Sequence, residues 1–271
     1  MLHFRTIMAS LGLLLVFGCG SSTYEERLKE TNALFEYHLG LDRVLQPGKW
    51  SSPNTISMRI PQGFTEIPAP PPPKPNEPVP EDSRQPFYLG LTLPGLVGAW
   101  QGQFACDDGL KRPVFLYVCS NHQLYQNLAL NPKGSDPELF LTNLENTLSS
   151  TMQVQLPPGE GTQVGSNVRY AEMCPRDGKY AVQRKFTGIT FVPAAVLPQV
   201  GVAIKAQYYG HYNGKIQVAV LAVYPASIRD RIEDRLLTAL ETFSVSGSVP
   251  STQPGVPAGP GGAPASRPVG F

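Results

Sequence analysis

The chain is short of charge, of long apolar runs and of cysteine, and each shortage excludes something. Charged residues make up 16% of its 271 positions, and 22 lysines and arginines stand against 21 acids for a net charge of +1. A nucleic-acid binder that neutralises phosphates needs a concentrated basic surface, so that class is excluded. The longest apolar run, Ile7 to Phe17, is broken only by Ser10 and Gly12, and it falls short of the roughly 20 residues that span a bilayer. Four cysteines are too few for a disulfide-packed toxin. There is no glycine-rich phosphate loop, no Gly-x-Ser-x-Gly elbow, no His-Glu-x-x-His and no carboxylate cluster beside a histidine, so no motif calls for a cofactor or a catalytic residue. Proline is abundant instead, with 28 residues against a usual share of about 5%. It gathers between Pro68 and Pro80 and again from Pro250 to Pro268, which confines the folded body to the remainder.

The amino end reads as an address. Arg5 precedes the apolar run, whose length suits the hydrophobic region of an export signal. The run ends in Val16-Phe17-Gly18-Cys19, which resembles the lipobox of bacterial lipoproteins. That resemblance implies that residues 1–18 are a signal peptide and that Cys19 is the lipid-bearing first residue of the mature chain. It further implies attachment to a bacterial membrane through the lipid on Cys19, in the cell envelope and facing the periplasm or exterior. Each buried methylene of an acyl chain adds about 0.8 kcal/mol of membrane affinity. Gly20-Ser21-Ser22-Thr23 then forms a flexible tether. The other reading is a conventional signal peptide cut near Gly18 or Gly20. Loss of Arg5 with the leader balances the charge, so membrane attachment rests on lipid alone.

Cys106, Cys119 and Cys174 remain. Two readings stand side by side: one bridge with a leftover thiol, or three buried thiols acting as small apolar residues. The spacing Cys119-Ser120-Asn121-His122 also suits two ligands of a metal, with Cys106 and Cys174 completing four, but structural zinc sites show two close pairs and this chain has one. A catalytic thiol needs a histidine, for which His38, His122 and His211 are the candidates.

Along the chain, residues 19–46 hold the tether and an amphipathic helix from Tyr24 to Leu45. Leu28, Phe35, Leu39 and then Leu41 or Val44 form its apolar stripe, which packs on the body or docks on a partner. Residues 47–246 form one α+β domain. Ile56 to Ile60 alternates as a short strand, and the prolines of 68–80 form an extended loop. Ala99 to Cys106 and Pro113 to Cys119 are strands joined by Asp107-Asp108-Gly109, whose paired carboxylates fit turn chemistry and fall short of a calcium site. Ser135 with Glu138 reads as a capping box opening a helix to about Ser150. A hairpin follows around Arg176-Asp177-Gly178, flanked by Val164 to Met173 and Lys179 to Phe191. A second turns at Asn213-Gly214, a pairing in which Tyr209 faces Val218 and Ile204 faces Val223. The strand after that turn is apolar on both sides and therefore central. Ala226 to Thr242 is a helix capped by Ser227, and Phe243 to Ser246 returns as a strand. The glycine- and proline-rich residues 247–271 read as a disordered tail. Trp100, Tyr209 and Tyr212 are candidate exposed contacts.

The order of elements in 200–246, the helix near 135–150 and the segment Ile56-Ser57-Met58-Arg59-Ile60-Pro61-Gln62-Gly63-Phe64 resemble the PsbP/Mog1-like superfamily. The resemblance implies an antiparallel sheet flanked by helices, an α/β/α sandwich, and a binding or assembly factor. It transfers no functional residue. Three function classes follow: an envelope lipoprotein that binds another envelope protein without catalysis, an exported hydrolase or thiol-dependent enzyme, and a structural spacer between membrane and cell wall.

Overall fold

The computed structural model describes residues 2–53, 56–72, 78, 80–130 and 135–245. The chain opens with helix α1 (Leu2–Val44) and passes into strands β1 (Leu45–Ser51), β2 (Ile56–Pro61) and β3 (Phe64–Glu66). Residues 67–72 carry neither helix nor strand, and 73–77 and 79 of the proline-rich loop lie outside the described residues. Strands β4 (Leu96–Ala105) and β5 (Lys111–Ser120) precede helices α2 (His122–Leu130) and α3 (Phe140–Met152). Then come β6 (Thr162–Val164), β7 (Asn167–Cys174), β8 (Arg184–Phe191), β9 (Ile204–Asn213), β10 (Ile216–Pro225), helix α4 (Ile232–Glu241) and β11 (Ser244–Val245). The tail 247–271 lies outside the described residues.

The fold is α+β with antiparallel sheets. An eight-stranded sheet runs in the order β3-β4-β5-β10-β9-β8-β7-β6, and a smaller one in the order β1-β2-β11. Alternation along β10 explains the two cores. Val218, Val220 and Ala222 point into one, with Leu236 and Leu240 of α4, Met58 and Ile60 of β2, Leu41 at the end of α1 and Leu45 at the start of β1. Ala219, Leu221 and Val223 point into the other, with Phe140, Leu144 and Leu148 of α3 and Leu89, Leu91 and Leu93. Every residue of β10 is buried, as its continuous apolar run predicts for a strand covered on both faces.

Several local expectations are corrected. The last hairpin pairs Asn213 with Ile216, so Tyr209 faces Val220 and Ile204 faces Pro225. The turn is therefore Gly214-Lys215, with Gly214 at φ 61°. Positive φ at the first central residue alone suits a type II′ turn. An Asn213-Gly214 turn of type I′ would also have forced Asn213 into the left-handed region. Each strand shifts by one residue, so opposing positions move by two and each side chain keeps its face.

The helix expected from Ser135 is capped by Asp136, whose carboxylate accepts from the Glu138 N–H. Its first turn, Pro137–Leu139, is a 3₁₀ turn before α3. Helix α4 begins at Ile232, not Ala226, because Ile228 bridges to Cys106 in extended pairing and the Asp107 N–H donates to the Ser227 carbonyl. Ser227 caps nothing. The span read as one strand from Val164 to Met173 is broken at Gly165, φ 60°, into β6 and β7, which pair with each other. Strand β8 starts at Arg184, so the Arg176-Asp177-Gly178 connection is a longer loop than a tight hairpin.

A polar cluster that no sequence pattern announced ties these pieces together. Asn121 donates to the carbonyls of Pro137 and Lys215 and accepts from the Gln217 N–H. The Gln217 side chain donates to the Glu138 carbonyl and accepts from the Leu141 N–H at 2.9 Å. One buried amide thus satisfies a first-turn donor of α3, which would otherwise have no partner.

Candidate functional site

Cys19 lies on α1, 22 residues before Leu41, which is buried against the body. At 1.5 Å per residue the helix places about 33 Å between them. Helix α1 runs unbroken through Gly20-Ser21-Ser22-Thr23, where the sequence suggested a tether. No helix among the described residues is long and apolar enough to cross a membrane.

From residue 23 onward, where side chains are described, the body grips the end of α1. Leu41 is buried, Val44 and Tyr37 pack against the core, Tyr37 meets Tyr180 at 5.2 Å, and Asp42 pairs with Arg59 at 2.8 Å. Of the stripe, Leu28, Phe35 and Leu39 are left outside, 48%, 62% and 46% exposed, as is Tyr24 at 67%, while Leu41 is covered. The helix packs on the body at its end and leaves the face from Tyr24 to Leu39 open. Exposed large apolar side chains gathered on one face mark an interaction surface.

At the base of α1 a cleft of about 570 Å³ opens between α1, the end of β7 and α4. Its rim carries Glu36, Glu172, Asp177, Asp234 and Glu241, while Arg176 is held by Glu172 at 3.1 Å. Burial raises the Glu241 carboxyl, and the nearby Asp177 carboxylate adds to it. Cys174 lies at the floor, its thiol pushed up to about 12 by burial first and then by Glu172 and Glu241. Cys119 is likewise pushed up to about 12 by burial. Both are thiols, not thiolates, at neutral pH, and so lack the nucleophilic form.

The three cysteines are free and buried, and the fold separates them. Cys174 belongs to the α4 side of the sheet and Cys119 to the α3 side, while Cys106 sits where β4 ends, bridged to Ile228. No group of three or more metal-ligating side chains forms among the described residues. His122 bonds through Nδ1 to the Ser120 hydroxyl at 2.7 Å, but the two residues are 3% and 0% exposed, so the pair has no access to substrate. His211 bonds through Nδ1 to the Lys185 carbonyl and packs on Phe186 and Phe243. His38 is exposed on α1. Asp108, in the Asp107-Asp108-Gly109 turn, is engaged by Arg112 and by the Leu110 N–H.

A second concavity, of about 370 Å³, lies on the α3 side of the sheet and is lined by Tyr88, Phe115, Val200, Val202 and Ile204. Tyr88 stacks on Phe115 at 4.6 Å and receives a hydrogen bond from Tyr117. Neither aromatic wall was anticipated, because Tyr88 and Phe115 meet only in the folded sheet. Of the aromatics singled out in the sequence, Trp100 and Tyr209 are buried and only Tyr212 is exposed; Trp100 packs edge-on against Trp50 at 4.9 Å.

Neither a protein-family model nor a curated protein sequence matches this chain.

Proposed function

We propose that this protein is a cell-envelope lipoprotein, anchored to a bacterial membrane by lipid on Cys19, whose body binds or assembles another envelope protein without catalysing a reaction. The observation that carries the reading is the apolar run Ile7 to Phe17 closed by Val16-Phe17-Gly18-Cys19. The long α1 beyond it supports a body held away from the lipid, with the outward stripe as a contact surface. Burial of Cys119, Cys174 and the Ser120-His122 pair favours binding over thiol or hydroxyl chemistry. The PsbP-like arrangement belongs to the same proposal: the large sheet is covered on one face by α3 and on the other by α4 and the small sheet.

Mass spectrometry of the mature amino end tests the anchor. Acylated Cys19 as the first residue is the expected result, and Cys19→Ala should release the protein from the membrane fraction. An unmodified mature terminus at another residue would overturn the assignment.

A further inference from the structure

We propose that α1 pairs with the same helix of a second copy of this chain, in parallel, through the face carrying Tyr24, Leu28, Phe35 and Leu39. The spacing is an eleven-residue repeat: Tyr24 recurs as Phe35 and Leu28 as Leu39. Eleven residues occupy just over three full turns, so these four side chains fall within about 60° of one another and the stripe runs nearly straight along the helix. Tyr37, Leu41 and Val44, which meet the body, lie about half a turn away. The body therefore leaves the stripe open to a partner from residue 24 to residue 39.

Charge identifies the partner and its direction. Glu25 and Glu36 border the stripe on one side, and Arg27 and His38 on the other, each about 70–90° from its centre. When two such helices lie parallel, the two-fold axis along the pair sets the acidic border of each against the basic border of the other, so Glu25 meets Arg27 of the second copy along both edges. An antiparallel pair sets Glu25 beside its own kind and Arg27 beside its own kind. Like charges in register are unfavourable, and opposite charges choose the parallel arrangement. A lipid surface fits less well. Residues 24–39 carry four glutamates against Arg27 and Lys29, whereas helices that lie on anionic membranes are rich in lysine and arginine. The pairing uses α1 alone and does not depend on lipid at Cys19.

The experiment takes the full chain with Cys19→Ser, so that no acyl chain contributes, in mild detergent and by sedimentation velocity. A dimer is expected, and Leu28→Asp should weaken it by about 100-fold or more, because one carboxylate per chain enters the seam. Arg27→Glu should also dissociate it, and the exchange Glu25→Arg with Arg27→Glu should restore it. Leu28→Cys chains should crosslink to each other under mild oxidation. All these positions are exposed, so thermal melts by circular dichroism should match the parent and separate loss of pairing from loss of fold. A monomer at about 100 μM would overturn the proposal, as would a dimer indifferent to Leu28→Asp or an exchange that fails to restore pairing. Crosslinking only between Leu28→Cys and Phe35→Cys chains would overturn the parallel direction. Vesicle binding by a monomeric chain would assign the stripe to lipid instead.

Discussion

At the residue scale, burial decides chemistry that spacing alone left open. Cys119 and Cys174 invited a metal or a nucleophile, yet Cys119 is enclosed in the core, Cys174 is buried at the floor of the acidic cleft, and burial keeps both protonated. A thiol reagent at pH 8 should therefore modify neither until denaturant is added, as peptide mapping would show; rapid labelling of native Cys174 would contradict this. Gln217 is the opposite case, a buried polar side chain with both ends of its amide satisfied. Gln217→Ala strips partners from the Leu141 N–H and the Glu138 carbonyl, and denaturant unfolding should show a loss of about 2–3 kcal/mol. His211 gives the molecule a pH dependence. Burial holds its pKa below the reference 6.5, with Arg184 adding to the effect and the bond to the Lys185 carbonyl opposing it. The unfolded chain then takes up the proton first, so stability falls as pH drops from 6.5 toward the folded-state value. His122, lowered by burial, acts in the same direction. The denaturation midpoint should fall between pH 7 and pH 5, and His211→Gln should flatten that slope.

At the scale of elements, two halves of one helix obey different rules. Leu41 is buried and Leu28 is exposed; the sequence reading put both on one stripe, but helical spacing sets them about 140° apart. Leu41→Ala should cost about 2–4 kcal/mol of folding stability, while Leu28→Ser should change it by less than about 0.5 kcal/mol; equal losses would mean that the stripe packs on the body after all. The apolar spacing of α1 was legible, but the stripe read from it joined two opposite faces. Which face would be covered was not legible, since that depends on where β1 turns the chain back toward β2. The boundaries of α4 show the same limit. Ala226 to Arg231 suits a helix by pattern, but Ile228 pairs with Cys106, and a contact more than a hundred residues away in sequence overrides the local preference. Gly95 offers another nonlocal constraint. Its φ is 61° and an added Cβ would strike the Ser120 carbonyl, so no β-carbon fits where β4 approaches the end of β5.

At the scale of the whole molecule, β10 is the shared wall of two cores. Val220 faces α4 and the small sheet, and Leu221 faces α3. Loss of either side exposes the same strand, so the body should unfold in one step. Val220→Ala and Leu221→Ala should each lower a single melting transition, seen identically in far- and near-ultraviolet circular dichroism. Two separated transitions would show that the cores are independent.

The sequence by itself determined most strands of the large sheet, the two apolar faces of β9 and β10 and the central place of β10. All of these are local in origin, because the side-chain period in a strand is two. Tertiary structure decided the rest. It set the hairpin register through the φ of Gly214, moved the cap of α3 to Asp136, parted Cys119 from Cys174 across the sheet and brought Tyr88 against Phe115. It also left the stripe of α1 uncovered. Those outcomes depend on which distant segments share a neighbourhood, and periodicity along one chain carries no record of that.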